Sequence, residues 1–431
     1  LKVAVLGLWH LGCVTAACTA AAGHDVVAFD PDRTTIEGLG RGLPPISEPG
    51  LADLIASASA AGRLRFTGNV EDATRGADVV WVTFDTPVDN EDRADTAFVL
   101  RQVEAAFPYL ADGALVLSSS QLPVGSIRKL EQEWSAGAAG RTVRFAVSPE
   151  NLRLGQAIDV FTKPDRVIVG VRDARAREIV TDVLRPITAR IEWMGVESAE
   201  MTKHAVNAFL AASVTFINEL AVLCEETGAD AKEVERGLKS ERRIGPAAYL
   251  SPGAAFAGGT LARDVVFLRD LGRQLSRETP MMDGIARSNA AHRAWAARRL
   301  VEELGTVAGK RVAVWGLTYK PGTDTLRRSA AIELCEWLLR EGAQVIVHDP
   351  AAGDLPAALA AIERAPSAID AAHGADALVI ATEWPDYRKV AAAAVIAAVR
   401  NPLVVDANRF LGNTLGSDAR IRLVSVGQPR A

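Results

Sequence analysis

The chain writes one pattern twice. "LKVAVLGL" and then "AGHDVVAFDP" stand at its start, and "KRVAVWGL" and then "EGAQVIVHDP" recur between positions 310 and 350. Each copy is an apolar run closing on Gly-Leu, followed by a second run closing on Asp-Pro. Runs that are apolar at nearly every position suit strands covered on both faces, as in a parallel sheet with helices above and below. Two such copies so far apart predict an α/β protein with two doubly wound parallel-sheet domains flanking a middle segment. A length of 431 residues agrees, since it exceeds what one ordinary core supports.

In the first copy the pattern predicts strands at 2–6, 24–30, 78–83, 114–118 and 144–147, with a helix from Leu11 to Ala22 that Gly23 stops. In the second it predicts strands at 377–381 and 402–406. Between them, Glu197 to Gly228 is apolar on a helical period, with Phe209, Leu220 and Cys224 among its apolar positions. A helix that long needs a partner surface, so a helical connector that also dimerises is expected. The domain boundaries then fall at 1–196, 197–304 and 305–431.

Composition narrows the function classes. Hydrophobic residues make up 49% and charged residues 23%, with a net charge of −5. That is a globular composition without a basic stripe, so no nucleic-acid partner is expected. Cys13, Cys18, Cys224 and Cys335 lie scattered in apolar stretches without a CxxC pair, which predicts reduced thiols in packed helices and a cytoplasmic protein. No signal peptide is evident, nor an apolar run of ~18 residues that would span a membrane.

"GLWHLG", residues 7 to 12, follows the first strand and opens the first helix. In a glycine-rich dinucleotide turn the first glycine makes the turn, the second admits the pyrophosphate and the third packs helix on strand. Gly7 and Gly12 fill the outer roles and Trp9 stands in the middle one. Gly7, Trp9, Leu11 and Gly12 are therefore candidate cofactor contacts, with a purely structural turn as the alternative. Asp30 ends the second strand, where a carboxylate binds a ribose diol and repels a 2′-phosphate. NAD is favoured over NADP, although Arg33 nearby leaves NADP open.

Three further features carry polar groups into apolar surroundings. Lys203 and Asn207 share a face of the long helix, and Asn218 falls near the same azimuth. A half-buried lysine stabilises charge or shuttles a proton, whereas the bland alternative is a solvated stripe. Residues 239 to 268 read as a long loop bounded by Arg243, Tyr249, Arg263 and Asp264, and loops of that length in compact domains are usually functional. In "GLTYKPGTDTLRRS" a strand ends, a loop carries Lys320, Asp324 and Arg327, and a helix begins near Ser329. Basic residues beside a helix N-terminus suit a phosphate.

Together these stretches resemble the UDP-glucose/GDP-mannose dehydrogenase family over essentially the whole chain. The resemblance also rests on "PPISEPGL", "FDTPVD", "QLPVGS", "SPENLRLG", "AEMTKHAVNAFLAASVTFINELA", "RIGPAAYLSPGAAFAGG" and "TEWPDY". It implies an NAD-binding Rossmann-like domain, a helical dimerisation segment and a C-terminal Rossmann-like domain holding the nucleotide-sugar. It also implies a homodimer, and oxidation of the sugar C6 alcohol to a carboxylate with two NAD⁺. Position by position, Lys203, Asn207 and Asp264 match the family's catalytic lysine, asparagine and aspartate, and Glu150 matches its first active-site glutamate. Tyr249, Ser251, Gly253 and Ala257 fall in its substrate loop, Lys320 at a substrate-contacting lysine, and Arg243 at an arginine that often reaches the neighbouring subunit. Asp30, Thr86, Arg263 and Arg327 fall at cofactor-contacting positions, Arg263 replacing a lysine.

The departures cluster near the chemistry. The nucleophilic cysteine of the family's GFGGSCFPKD-type loop corresponds to Thr260 in "AFAGGTLARD". A cofactor-side threonine is Gln121, and a second glutamate is Leu154. Threonine ionises far less readily than a thiol, so the thiohemiacetal route of the second oxidation is expected to be absent. The expectation is an NAD-dependent oxidoreductase acting on a nucleotide-sugar, UDP-linked and glucose-like. It either stops after one two-electron step or oxidises an aldehyde hydrate without covalent catalysis. The alternatives are a redox-neutral enzyme such as an epimerase, and a non-catalytic nucleotide-sugar-binding protein.

Overall fold

The first copy of the repeat builds an eight-stranded sheet. Its strands are β1 (Lys2–Leu6), β2 (Asp25–Phe29), β3 (Leu64–Thr67), β4 (Val79–Val82), β5 (Leu115–Ser118), β6 (Arg144–Val147), β7 (Val167–Gly170) and β8 (Ile191–Met194). They are ordered β3-β2-β1-β4-β5-β6-β7-β8. The second copy builds a six-stranded sheet of β9 (Arg311–Trp315), β10 (Gln344–His348), β11 (Glu363–Arg364), β12 (Ala377–Ile380), β13 (Leu403–Asp406) and β14 (Arg422–Val424). Its order, β11-β10-β9-β12-β13-β14, repeats the first six positions of the other sheet. In both, the strand order reverses beside the first strand, where open α/β sheets place their ligands. This computed structural model describes residues 1–87, 94–137, 140–150, 152–257 and 260–430. They divide into two compact units, 1–205 and 206–431.

Continuous apolar strands do cover both faces. Val3, Val5, Val26, Val79, Trp81 and Leu117 join one core layer, whereas Ala4, Leu6, Val80, Val82 and Val116 join the other. The second sheet divides in the same way, with Val312, Val314 and Val345 against Ala313, Trp315 and Ile346. The first sheet departs from an all-parallel reading at one step: β6 and β7 meet antiparallel, through Val147 and Gly170.

The helix His10–Ala21 is buried almost throughout, and its small residues Gly12, Ala16, Ala17 and Ala20 permit close packing on the sheet. The connector is a single helix, Val196–Thr227. An 18-residue window of it is apolar enough by length and composition to cross a membrane, which corrects the expectation that no such stretch exists. Glu200, His204, Asn207, Asn218 and Glu225 are nevertheless buried along it. Each hydrogen-bonds to other protein groups, the pattern of a helix packed in protein.

The expected loop at 239–268 is shorter. Lys239 belongs to the helix Ala231–Ser240, and Thr260–Gln274 is another helix. Arg263 and Asp264 therefore sit on a helix. Leu261, Val265 and Leu268 give it an apolar stripe at helical spacing, which packs with Ala208 and Ala211.

Candidate functional site

In the first unit the glycine turn keeps its backbone chemistry. Gly7 has φ +97°, and a Cβ there would lie 2.6 Å from Phe84 Cα. A Cβ on Gly12 would lie 1.7 Å from the Gly7 carbonyl oxygen, so only glycine lets the helix sit this close to the turn. Thr83 Oγ1 donates to the Leu6 and Gly7 carbonyls at 3.0 and 2.9 Å, fixing the turn from the neighbouring strand. Trp9 has φ −92°, a conformation open to any residue, and its side chain is 46% exposed. The middle glycine is thus replaced without backbone strain, and the ring points outward rather than filling the core.

Trp9 gives the following helix no side-chain cap. A helix start without a capping side chain, next to a tight glycine turn, is a site for a pyrophosphate. Leu11 is buried beneath it. Asp30 is half-buried, and accepts Leu8 N on one carboxylate oxygen at 2.7 Å and Asp32 N on the other at 2.9 Å. Each oxygen keeps acceptor capacity for a ribose hydroxyl. Arg33 is exposed and pairs with Glu37 at 2.7 Å. Thr86 Oγ1 donates to the Gln121 carbonyl at 2.7 Å, joining two of the candidate cofactor positions. These features fit NAD.

The second copy of the turn has a different electrostatic outcome. Gly316 repeats the positive φ, at +91°, and Asp349 repeats Asp30. Asp349, however, receives Leu317 N, Thr318 N, Thr318 Oγ1 and Trp384 Nε1 on one oxygen, and Ala351 N and Ala352 N on the other. Burial opposes its ionisation, but these donors hold the carboxyl below its usual range. Nothing is left for a ribose diol. The repeated turn therefore carries a second fold copy without a second copy of the dinucleotide chemistry.

Two connections in the first unit were not legible in the sequence. His10 Nε2 lies 2.8 Å from Glu48 Oε2, and the buried Glu48 also accepts Gly155 N at 2.8 Å and Ala157 N at 2.9 Å. Burial raises the Glu48 carboxyl, yet Gly155, His10 and Ala157 together bring it below its usual range. The glycine turn is thereby tied to the segment following Glu150. Glu200 accepts Gly125 N at 2.7 Å and Ile127 N at 3.0 Å, capping the helix Ser126–Gly137, and burial pushes its carboxyl above the usual range. "PPISEPGL" and "AEMTK" contain these glutamates, but only tertiary structure reveals which backbone groups they serve.

Lys203 Nζ donates to the Glu150 carbonyl at 2.5 Å, and Glu150 Oε2 accepts Leu152 N at 2.5 Å. A small cavity of about 20 Å³ is lined by Ser119, Gln121, Glu150, Glu200 and Lys203 among others, room for about one water. Leu154 is half-buried nearby in sequence.

In the second unit, Asn207 Nδ2 donates to Asp264 Oδ2, and Asp264 is fully buried. Thr260 is exposed as the first residue of its helix, and Arg263 is half-buried one turn on. The described part of the preceding loop is held by side chains from three places. Gly253 N donates to Asn218 Oδ1 at 3.0 Å, and Asn218 Nδ2 to the Ala254 carbonyl at 3.4 Å. Ala254 N donates to Asn408 Oδ1 at 2.7 Å. Asn289 accepts Phe256 N at 3.0 Å and donates to the Phe256 carbonyl at 2.8 Å. His292 Nε2 lies 2.8 Å from the Gly253 carbonyl, and because a carbonyl only accepts, that nitrogen carries the proton.

The remaining candidates are exposed or half-buried. Tyr249 is exposed, Ser251 Oγ accepts Lys232 Nζ at 2.7 Å, and Ala257 is half-buried. Arg243 is exposed and pairs with Glu241 at 3.0 Å. Lys320 is half-buried and Arg327 exposed, and the helix Ala330–Arg340 begins beside Ser329, as the sequence predicted; Ser329 caps it by accepting from Ala331 N. Asn151, Gly258, Gly259 and the last two residues of "FDTPVD", Val88 and Asp89, lie outside the described residues.

Three models of the UDP-glucose/GDP-mannose dehydrogenase family match in order: its NAD binding domain over residues 1–188, its central domain over 197–291 and its UDP binding domain over 313–413. The UDP-glucose 6-dehydrogenase of Pseudomonas aeruginosa is 34% identical, over 100% of this chain and 98% of its own. That of Rhizobium meliloti is also 34% identical, over 100% of both chains. The structure of a UDP-glucose dehydrogenase from Pyrobaculum islandicum superposes with a TM-score of 0.85 at 30% identity, covering 100% of this chain and 98% of the other. The chain belongs to the UDP-glucose/GDP-mannose dehydrogenase family of NAD-dependent oxidoreductases.

Proposed function

We propose that this protein oxidises the C6 alcohol of a UDP-linked, glucose-like sugar by a single two-electron step and forms no thioester. The observation that carries this reading is the combination of a retained Lys203, Asn207 and Asp264 with Thr260 at the nucleophile's position. NAD⁺, when bound, supplies the hydride acceptor, and Gly7, Gly12, Asp30 and Thr86 are the residues that would hold it. Lys203 provides the cation that stabilises a developing alkoxide, its ammonium steadied by the Glu150 carbonyl. Asp264, aimed by Asn207, takes the hydroxyl proton directly or through a water. Thr260 offers a hydroxyl, which holds a substrate oxygen by hydrogen bond but, un-ionised at neutral pH, is a far weaker nucleophile than a thiolate.

The other thiols do not substitute. All four cysteines are buried, and burial pushes Cys13, Cys18 and Cys335 up to about 12. At pH 7 roughly one such thiol in 10⁵ is ionised, and the thiolate is the reactive species. Native protein is therefore expected to keep its activity through treatment with iodoacetamide. Stoichiometric inactivation by alkylation would place a cysteine in the chemistry. These buried, unpaired thiols also support a reducing compartment, the cytoplasm.

A homodimer belongs to the same reading. Phe209, Phe216 and Leu223 are 71%, 50% and 60% exposed, and their seven-residue spacing puts them along one face of the long helix. Phe216→Asp is expected to convert the protein to monomers in sedimentation velocity, while an unchanged dimer would assign association to another surface.

The function itself is tested by mixing purified protein and NAD⁺ with a panel of UDP- and GDP-sugars. NADH and a sugar oxidised once are expected with a UDP-sugar. An altered sugar without net NADH would indicate a redox-neutral enzyme, and UDP-sugar binding without NAD⁺ binding would indicate a binding protein.

A further inference from the structure

The loop residues 241–257, which follow the helix Ala231–Ser240, lie in no helix or strand, so their backbone must find hydrogen-bond partners elsewhere. An ordinary surface loop finds them in water. From Gly253 to Phe256 this loop finds them in four side chains instead: Asn218 on the long helix, Asn289 and His292 on the helix Pro280–Arg293, and Asn408 just after β13. Asn218, Asn289 and His292 are all buried, and burial keeps the His292 imidazole below its usual range, hence neutral at pH 7.

Two details show that the fit is specific. Asn289 presents its amide oxygen to Phe256 N and its amide nitrogen to the Phe256 carbonyl, the way a neighbouring strand would pair with that residue. Asn408 occupies the space that a side chain at position 253 would need, since a Cβ on Gly253 would lie 2.1 Å from Asn408 Oδ1. A buried amide that gives both its groups to a single loop residue has a fixed orientation, and it fixes the loop in turn. This is the loop that the proposed function assigns to the sugar nucleotide, running from Ser251 towards Thr260 and Asp264.

We infer that Asn289, with His292 and Asn408, is a positioning residue for substrate: it touches neither sugar nor cofactor, but holds the Gly253–Phe256 backbone in its binding shape before substrate arrives. This rests on the reading of that loop as the sugar-nucleotide site. Without the clamp the loop must be ordered at each binding event, so the cost falls on substrate affinity and not on the NAD site.

Asn289→Asp keeps the acceptor and the shape but sets an anion against the Phe256 carbonyl. Its KM for UDP-glucose is expected to rise ~10–100-fold, with KM for NAD⁺ close to wild type and a lowered thermal midpoint. His292→Gln, which retains a donor, is expected to stay within a few-fold of wild type, whereas His292→Leu raises KM for UDP-glucose like Asn289→Asp. Amide exchange at Gly253, Ala254 and Phe256 is expected to quicken in Asn289→Asp without any ligand present. A folded Asn289→Asp protein with unchanged KM for UDP-glucose overturns the inference, and so does one whose KM for NAD⁺ rises equally. Wild-type protein that turns over no nucleotide-sugar removes the functional reading itself, an outcome visible before any variant is made.

Discussion

Replacing Thr260 with cysteine is expected to double the NADH formed per UDP-sugar, from one to two, and to change the product from an aldehyde to a carboxylate. The argument rests on what the second oxidation requires. An aldehyde carries no hydride at a tetrahedral carbon until a nucleophile adds, and a thiolate adds readily where a threonine hydroxyl does not. With the thiol in place, addition gives a thiohemiacetal, loss of a second hydride gives a thioester, and water then releases the acid and regenerates the thiol. Position 260 opens a helix, where the N-terminal end of the dipole favours a thiolate. It also lies one turn before the buried Asp264. A T260C variant that still yields one NADH per sugar would mean that Thr260 does not occupy the nucleophile's place. The two side chains differ little in size and the residue is exposed, so loss of fold is not expected to blur the result.

The other large effect is expected at Lys203 and Asp264. Lys203→Ala removes the cation proposed for the alkoxide, and Asp264→Asn removes the proposed proton acceptor while keeping an amide that can still meet Asn207. Each is expected to lower kcat by ~10²–10⁴-fold with KM for NAD⁺ nearly unchanged. Lys203 is half-buried, so the alanine variant is expected to fold normally. Asp264 is fully buried opposite Asn207, and the near-isosteric asparagine is chosen to avoid an empty buried site. Full activity in either variant would contradict the roles given to these residues.

What could be read from the residues, and what could not, follows from how each element is stabilised. Most interior strands were legible because burial on both faces leaves a continuous apolar run, as in Val79–Val82 and Leu403–Asp406, although the interior strand Val167–Gly170 was not read. The outer strands were not: Ile191–Met194 and Arg422–Val424 are only partly buried, and Glu363–Arg364 is two exposed residues. Their pairing comes from a neighbouring strand and leaves little trace in local pattern. Residues 260–268 were read as loop because small residues and prolines precede them, although Leu261, Val265 and Leu268 already carry a helical period.

The candidate site shows the same contrast. Gly7, Gly12 and Asp30 are visible because a tight turn needs particular residues at particular spacing. Lys203 with Asn207 stood out as polar groups in an apolar helix. Glu48, Asn289, His292 and Asn408 did not, since each serves a backbone group far away in the chain. Asp349 makes the point most clearly. Sequence makes it the twin of Asp30, and only its set of donors shows that it is already fully used.

The central claim is that the framework for alcohol oxidation survives here without the step that needs a thiol. UDP-glucose labelled with carbon-13 at C6, incubated with the protein and excess NAD⁺, tests it in one ¹³C NMR spectrum. The account predicts that the C6 alcohol signal gives way to that of an aldehyde and its hydrate, with one NADH per sugar consumed. A C6 carboxylate signal with two NADH per sugar would contradict it, as would a C6 signal that never moves.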